Sequence, residues 1–293
     1  MSISTVAVIG LGNMGGPMAV NLAKSGLATR GFDVSDQARS IAEEAGVQTF
    51  DTAVEAAQGA EAVITMLPNG DLVKKVVGEL VESDSTAKLY IDSSTVSVQD
   101  AREVGELINE QGSLFVDAPV SGGVTGSQAG TLAFMVGGTE EAFNQAKPLL
   151  DIMGRSITHC GQSGNGQAVK ACNNMILAVQ QLVLSEAIVL GERLGLEHQA
   201  FFDVVSNATG NSWSLSVNAP IPDVVPTSPA NSEFKPGFSS ALMLKDLKLA
   251  MESAQATGTN TVLGKIAADT YAAFVEDGHG NLDFSAVINE LRH

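Results

Sequence analysis

The sequence predicts an α/β domain with a doubly wound, mainly parallel sheet, followed by an all-α domain built round a long central helix. Short apolar runs alternate with helical patterns through the first half of the 293-residue chain, as in parallel strands joined by right-handed crossovers. The second half contains no convincing strand and opens with a long apolar segment, residues 168–194. We place the boundary among the glycines at residues 161–164, which predicts domains of residues 1–163 and 164–293.

The first predicted strand ends in a glycine-rich turn. Thr5–Ile9 is a short apolar run, and residues 10–15 form a GxGxxG that opens a helix. A second strand, Ala28–Phe32, ends in Asp33, 18 residues after Gly15. Such glycines let the backbone approach a pyrophosphate, and the acid accepts hydrogen bonds from the adenosine ribose. The context predicts a Rossmann-type site for NAD, because Asp33 would repel the 2′-phosphate of NADP. The alternative is a tight glycine turn in a protein that binds no nucleotide.

Further turns belong to the same edge of the predicted sheet. Strands and helices continue to alternate, with strands at residues 62–67, 89–92 and 114–117 and helices at residues 71–80 and 98–111. Ligands bind outside the carboxyl ends of parallel strands. Leu67, Pro68 and Thr95 lie in these turns, and either cofactor contact or ordinary loop chemistry explains them.

A segment without bulky side chains follows the third of these strands. Ser121, Gly122 and Gly123 have amides and a hydroxyl that can converge on an anion, as backbone nests do. The alternative is a flexible glycine loop, which composition alone does not exclude. A strand at residues 131–136, a helix at residues 140–150 and a short strand near residues 157–158 complete the first half.

The long apolar segment carries a lysine near its start. The segment is apolar around most of its circumference, so we expect its helix to be buried inside a domain. Lys170 and Asn174 are four residues apart and share one face of that helix. Loss of hydration favours a neutral amine, the form that accepts a proton. The alternative is a lysine at a helix start with its head in water.

The remainder of the chain is predicted to form helices around one long loop. Helices are predicted at residues 167–194, 198–207, 240–256, 262–276 and 284–291. The loop between residues 207 and 238 contains Trp213, the only tryptophan, and so long a loop is usually functional. Lys245, in the helix after the loop, is either a surface charge or a second cation at the cleft.

Composition excludes several classes of protein. The formal net charge of −17 argues against nucleic acid or an anionic membrane as a partner. The two cysteines form no CxxC pair, and Cys172 on the central helix is expected to pack as a small hydrophobe. The four histidines show no metal-ligand spacing, so no metal site is predicted. The first residues show no signal peptide or presequence pattern, which predicts a cytoplasmic protein.

Together these features predict hydride transfer between NAD and a small hydroxy acid, with Lys170 exchanging the proton. The chain also resembles the β-hydroxyacid dehydrogenase family over essentially its whole length. Four motifs match in order, at residues 10–15, 117–123, 164–174 and 245–247.

The resemblance implies a role for each candidate site residue. Lys170 would be the catalytic acid/base, and Asn174 would hold the substrate together with Ser121, Gly122 and Gly123. The cofactor-binding residues would be Gly10, Leu11, Gly12, Asn13, Met14, Gly15, Asp33, Leu67, Pro68, Thr95 and Lys245.

The implied reaction is the NAD-dependent oxidation of 3-hydroxyisobutyrate, or a close small β-hydroxy acid, to the semialdehyde, as in valine breakdown. Reduction of tartronate semialdehyde or succinic semialdehyde is the main alternative. The proline-rich loop and Trp213 favour oxidation of 3-hydroxyisobutyrate over these reductions. A non-catalytic NAD sensor is a further alternative, against which the lysine argues. A homodimer or homotetramer is expected from the apolar C-terminal helices and from the family.

Overall fold

The alternating strands of the first half form one sheet in the computed structural model, which describes residues 3–83 and 87–292. Within those residues the strands are β1 Thr5–Ile9, β2 Ala28–Phe32, β3 Gln48–Thr49, β4 Ala62–Thr65, β5 Leu89–Asp92, β6 Leu114–Asp117, β7 Val120–Ser121, β8 Leu132–Gly138 and β9 Gly154–Gly161. The order β3-β2-β1-β4-β5-β6 is parallel throughout, and β8 runs antiparallel to β6 and β7. The predicted doubly wound, mainly parallel sheet is confirmed.

Helices cover both faces of this sheet. They are α1 Gly15–Lys24, α2 Asp36–Glu44, α3 Ala53–Ala57, α4 Gly70–Glu82, α5 Val98–Glu110, α6 Gly123–Ala129 and α7 Glu140–Met153. Val6 and Val8 of β1 lie in one hydrophobic core with Met18, whereas Ala7 and Ile9 lie in the core on the other face. This alternation is the period-2 pattern of a strand buried on both sides.

Helices α2 and α3 were not predicted from the sequence, although each begins with a local signal. Ser35 accepts a hydrogen bond from the backbone N–H of Ala38, and Thr52 accepts one from the backbone N–H of Glu55. Thr52 and Glu55 have the spacing of a capping box, a recognisable helix start. Both helices are short, so their hydrophobic period is hard to read from sequence.

The second half is helical. Helix α8, Asn165–Arg193, begins in the first of two compact units, Met1–Lys170, and continues into the second, Ala171–His293. It is followed by α9 His198–Val205, α10 Trp213–Ser216, α11 Ser240–Thr257, α12 Val262–Phe274 and α13 Ile288–Leu291, with 3-10 turns at Pro229–Ser232 and Phe284–Val287 and a π-turn at Val275–His279. Residues 1 and 2 of the first predicted domain and residue 293 of the second lie outside the described residues. The domain boundary at residues 163–164 stays a prediction.

The proline-rich loop at residues 207–238 is packed against the helices. Leu215 and Ile221 of this loop are fully buried in a cluster with Leu184 and Ile188 of α8. The loop therefore forms part of the core of the helical unit, while Trp213 lies half exposed.

The expected complete burial of α8 is wrong for one side of the helix. Ala178 packs with Met243 and Tyr271, but the opposite side exposes large apolar side chains, from 54% to 60% of their surface, at Ile176, Val183 and Leu190. Leu194, directly after the helix, is 72% exposed. Cys172 is also exposed, contrary to expectation. In the described chain α8 is the one helix that meets the length and composition of a membrane span, a test that core helices of soluble proteins also pass.

Candidate functional site

The glycine turn after β1 is built from three glycines with different surroundings. Gly10 has φ +96°, and a Cβ there would collide with the carbonyl oxygen of Met66. A Cβ on Gly15 would collide with the carbonyl oxygen of Gly10. Gly12, in contrast, would place its Cβ in open space, with no heavy atom within 4 Å. The first and third glycines are therefore required by the fold, whereas the second leaves room for a ligand to approach the backbone.

The carboxylate of Asp33 is held against this turn. Its Oδ2 accepts a hydrogen bond from the Leu11 N–H at 2.7 Å, and its Oδ1 accepts one from the Ser35 N–H at 2.8 Å. Each carboxylate oxygen has a second lone pair, so Asp33 retains acceptor capacity for a ribose. A groove of about 630 Å³ adjoins it, lined among others by Leu11, Gly12, Asn13, Asp33, Ser35 and Gln128. The open Gly12 backbone and the fixed carboxylate fit the pyrophosphate and ribose of a dinucleotide.

Helix α6 attaches the Ser121–Gly123 segment to the glycine turn. Ser127 Oγ donates to the Met14 carbonyl oxygen at 2.7 Å, and Asn21 Nδ2 donates to the Ser127 carbonyl oxygen at 2.8 Å. Gly122 and Gly123 have φ of +132° and +61°, conformations that favour glycine. The segment is therefore an ordered strand-to-helix turn, and the alternative of a flexible glycine loop is wrong.

Lys170 is buried at the carboxyl edge of the sheet. It is 8% exposed, and its Nζ donates to the Val120 carbonyl oxygen at 2.8 Å. Val120 directly precedes Ser121, so the amine and the turn that starts at Ser121 are neighbours. The alternative of a lysine with its head in water is wrong.

The start of α8 is fixed by Asp117, a residue for which no role was predicted from the sequence. Its Oδ1 accepts from the Gly164 N–H at 2.7 Å, and its Oδ2 accepts from the Gln167 N–H at 2.9 Å. Burial raises the pKa of the Asp117 carboxyl, against the lowering effect of these hydrogen bonds. Asp117 thus satisfies backbone donors at the helix start that would otherwise be unpaired.

The turns after β4 and β5 form a second cluster, whose residues are not among those that line the groove. Leu67 N–H donates to Ser94 Oγ at 2.9 Å. The side chain of Gln167 reaches the same turn and contacts the backbone of Ser94 and Val96. Thr95, half-buried, lies between these two contacts. Of the predicted residues, Leu67 and Thr95 are therefore brought together through Ser94.

Asp92, at the end of β5, is a fully buried acid opposite Asp117 of β6. Burial raises its pKa from 3.8 to about 6, against the lowering effect of hydrogen bonds from Ser94 and Thr65. Its Oδ1 accepts both bonds, while its Oδ2 has no hydrogen-bond partner among the described residues. Ionisation of Asp92 therefore opposes folding.

Replacing Asp92 with asparagine is expected to remove one pH-dependent contribution to stability. The pKa of Asp92 is raised to about 6 on folding, so between about pH 4 and pH 6 the unfolded chain has already lost a proton that the folded chain retains. Wild-type stability therefore falls as the pH rises through this window, by at most about 3 kcal/mol. Urea unfolding at pH 4 and pH 7.5 should show the variant gaining relative to the wild type at the higher pH. An equal difference at both pH values would contradict this coupling, because the amide itself contributes only a constant offset.

In the helical unit, Asn174 and Lys245 converge on one acid. Asn174 Nδ2 donates to Asp246 Oδ2 at 2.5 Å, and Lys245 Nζ lies 3.4 Å from Asp246 Oδ1. Asn174 and Asp246 are buried, whereas Lys245 is partly exposed. The 3.4 Å contact leaves the lysine charge partly neutralised by its neighbour in sequence.

Comparison with known proteins gives matches over nearly the whole chain. Residues 5–161 match the family model described as the NAD binding domain of 6-phosphogluconate dehydrogenase. Residues 164–291 match the model described as NAD-binding of NADP-dependent 3-hydroxyisobutyrate dehydrogenase. The chain is 54% identical to a probable 3-hydroxyisobutyrate dehydrogenase of Mycobacterium tuberculosis, covering 99% of this chain and 98% of that protein.

Two further comparisons bear on fold and substrate. An NAD-dependent L-serine dehydrogenase of Pseudomonas aeruginosa is 40% identical, with 96% of each chain covered. The solved structure of the M. tuberculosis 3-hydroxyisobutyrate dehydrogenase with L-serine superposes with a TM-score of 0.96 at 54% identity, covering 100% of both chains.

Fold, groove and comparisons define an NAD-dependent oxidoreductase that acts on a CH–OH group. NAD as the cofactor and the class of enzyme, both predicted from sequence, are confirmed. The chain belongs to the β-hydroxyacid dehydrogenase family.

Proposed function

We propose that this chain oxidises 3-hydroxyisobutyrate, or a close small β-hydroxy acid, to the semialdehyde, with Lys170 as the acid/base. The observation that carries the proposal is the buried Lys170 amine, held 2.8 Å from the carbonyl oxygen of Val120 directly before Ser121. The relatives named for this activity support the substrate. By family resemblance the reaction belongs to valine breakdown.

Each candidate site residue of the first unit has a separate role in this reaction. When bound, NAD would supply the hydride acceptor for oxidation of the substrate carbon. The turn at residues 10–15 and Asp33 hold its pyrophosphate and adenosine ribose, and Leu67, Pro68 and Thr95 form a further wall of its site. Ser121, Gly122 and Gly123 bind the substrate carboxylate. Lys170, in its neutral form, takes the hydroxyl proton, and its hydrogen bond to Val120 restricts the rotation of the amine so that its lone pair is available.

The helical unit contributes two further side chains to this proposal. Asn174 binds the substrate, and its hydrogen bond to Asp246 fixes the orientation of its amide. Lys245 contacts the cofactor, with Asp246 limiting its excess charge. Both assignments rest on the family motifs together with this shared acid.

Asp33 is proposed to select NAD over NADP. Replacing Asp33 with alanine is expected to lower the ratio of kcat/KM for NAD to kcat/KM for NADP by roughly 10- to 150-fold, the equivalent of one hydrogen bond to a charged group. Asp33→Asn, which keeps an acceptor for the Leu11 N–H, should give an intermediate ratio. Asp36→Ala is the matched control, because Asp36 is a neighbouring carboxylate that is 93% exposed. An unchanged ratio in Asp33→Ala would show that Asp33 does not select the cofactor through its adenosine ribose. An equal change of the ratio in Asp36→Ala would lead to the same conclusion.

The substrate is tested by following absorbance at the reduced-nicotinamide band with a panel of hydroxy acids. 3-Hydroxyisobutyrate should show the highest kcat/KM. L-Serine is the second candidate, favoured by the serine dehydrogenase relative and by the serine in the solved structure. Glycerate and 4-hydroxybutyrate test the tartronate and succinic semialdehyde alternatives. One methyl group distinguishes substrates by only about 1–3 kcal/mol, so the ranking decides rather than activity alone. Turnover with none of them would leave the NAD sensor as the function.

We further propose a cytoplasmic homodimer or homotetramer. The exposed apolar stripe of α8 in the helical unit, with Val262, Leu263 and Ile266 also exposed on α12, supports association. The net charge of −17 argues against an anionic membrane surface or nucleic acid as the partner of this face.

A further inference from the structure

We propose that Gln167 is a positioning residue that couples the cofactor-side turn after β5 to the helix that carries Lys170. The inference rests on the proposed function, since it assumes that Thr95 contacts the cofactor and that Lys170 acts on the substrate. Gln167 is 1% exposed and belongs to the first turn of α8.

Both ends of the Gln167 amide are used by one turn. Its Nε2 donates to the Ser94 carbonyl oxygen at 2.8 Å, and its Oε1 accepts from the Val96 N–H at 3.2 Å. These two bonds bracket Thr95, so they fix the backbone on either side of it. An amide is the one side-chain group of this length that offers a donor and an acceptor without carrying charge.

The same residue is fixed at its backbone. The N–H of Gln167 donates to Asp117 Oδ2 at 2.9 Å, and the neighbouring Gly166 approaches so closely that a Cβ would collide with the Met135 carbonyl oxygen. Gln167 therefore cannot shift towards or away from the sheet without breaking the start of α8. Lys170 lies three residues further along the same helix and is held by the Val120 carbonyl oxygen.

The turn held by Gln167 extends to a second strand end. Ser94 Oγ accepts from the Leu67 N–H at 2.9 Å, and Ser94 N–H donates to Asp92 Oδ1 at 3.1 Å. A continuous series of hydrogen bonds therefore runs from the turn after β4, through Ser94 and Gln167, to Asp117. Displacement of the 94–96 turn and displacement of the Lys170 helix are coupled by this series, because the bonds that Gln167 makes to Ser94, Val96 and Asp117 are all buried.

The coupling is tested with Gln167→Met, which preserves length and apolar contact but removes both hydrogen bonds. Without any ligand, hydrogen–deuterium exchange at the Val96 amide should accelerate roughly tenfold, as expected for loss of one buried bond. The Kd for NAD should rise and kcat should fall, each by roughly tenfold, while the KM for the hydroxy acid stays within about twofold. Gln162→Glu, an exposed glutamine nearby in sequence, is the matched control and should change none of these.

Three results would overturn the proposal. One is unaltered exchange at Val96. Another is an NAD Kd and a kcat that both stay within about twofold of wild type. The last is a loss of NAD affinity and kcat in Gln167→Met that is explained wholly by a smaller fraction of folded protein. If Gln167→Met does not fold, Gln167→Leu replaces it, because leucine also removes both hydrogen bonds and has a more compact apolar side chain; the same Kd and kcat changes are then expected. Failure of the proposed function gives a different result, because the wild type would then bind NAD but turn over no hydroxy acid. The hydrogen–deuterium exchange at Val96 and the Kd for NAD could still be measured in that case.

Discussion

Replacing Lys170 with alanine is expected to lower kcat by about 10²–10⁴, the usual contribution of a positioned acid/base. The amine is 8% exposed and hydrogen-bonded to Val120, so bulk water does not readily take its place. The Kd for NAD, measured by protein fluorescence, should stay near the wild-type value, because the residues that line the groove do not include Lys170. The measurement is initial rate at saturating NAD and hydroxy acid.

The control is Lys147→Ala, which removes an exposed lysine paired with Asp151 in the same unit. Its kcat should match wild type. Near-normal turnover in Lys170→Ala would remove the proposed role of the lysine, and a matching loss in Lys147→Ala would point to a general effect of charge. Added methylamine should partly restore Lys170→Ala if a missing amine is the cause.

Replacing Gly12 with alanine is expected to weaken NAD binding without unfolding the chain. An added Cβ at Gly12 meets no protein atom within 4 Å, so the fold accepts it. The same methyl group would occupy space that the pyrophosphate needs, and such overpacking costs about 1–3 kcal/mol. The Kd for NAD should therefore rise by roughly 5- to 150-fold, as titration calorimetry can measure.

Two other glycines make this result interpretable. Gly78 of α4 also has no atom near a Cβ, so Gly78→Ala should leave the Kd unchanged and slightly stabilise the helix. Gly10 has φ +96° and a Cβ there collides with backbone, so Gly10→Ala should lower the melting temperature markedly. An unchanged Kd in Gly12→Ala would mean that the dinucleotide does not approach this backbone.

The strands and helices of the first half were predictable where their signal is local. Apolar runs such as Thr5–Ile9 and Leu89–Asp92 end where sequence indicates, because each run is bounded by turn residues. β3 and α3 were missed, since two- and five-residue elements carry no readable period. The apolar face of α8 was misjudged for another reason: a uniform apolar segment does not indicate which side the other helices will cover.

Some residues of the candidate site were likewise predictable from the sequence, and others were not. Gly12, Asp33 and Lys170 were identifiable because their neighbours in sequence make a recognisable pattern, and their roles stay predictions. Asp117 and Gln167 also lie within matched motifs, at residues 117–123 and 164–174, but those motifs do not indicate their hydrogen-bond partners. Gln167 meets Ser94 across a separation of 73 residues, and Asp117 meets Gly164 across 47. Which polar partner each finds depends on strand order and register, so neither could be assigned from the chain alone.

By itself, the sequence determined the alternation that makes a parallel sheet, the glycine turn with its acid, the family and the cofactor. These follow from residue type and short spacing, which act within a few residues. Only the tertiary structure decided that Lys170 is held by Val120, that α8 starts on Asp117 and that one amide ties the 94–96 turn to that helix. The physical reason is that a buried polar group must find a partner, and only the assembled sheet edge places that partner within hydrogen-bond reach.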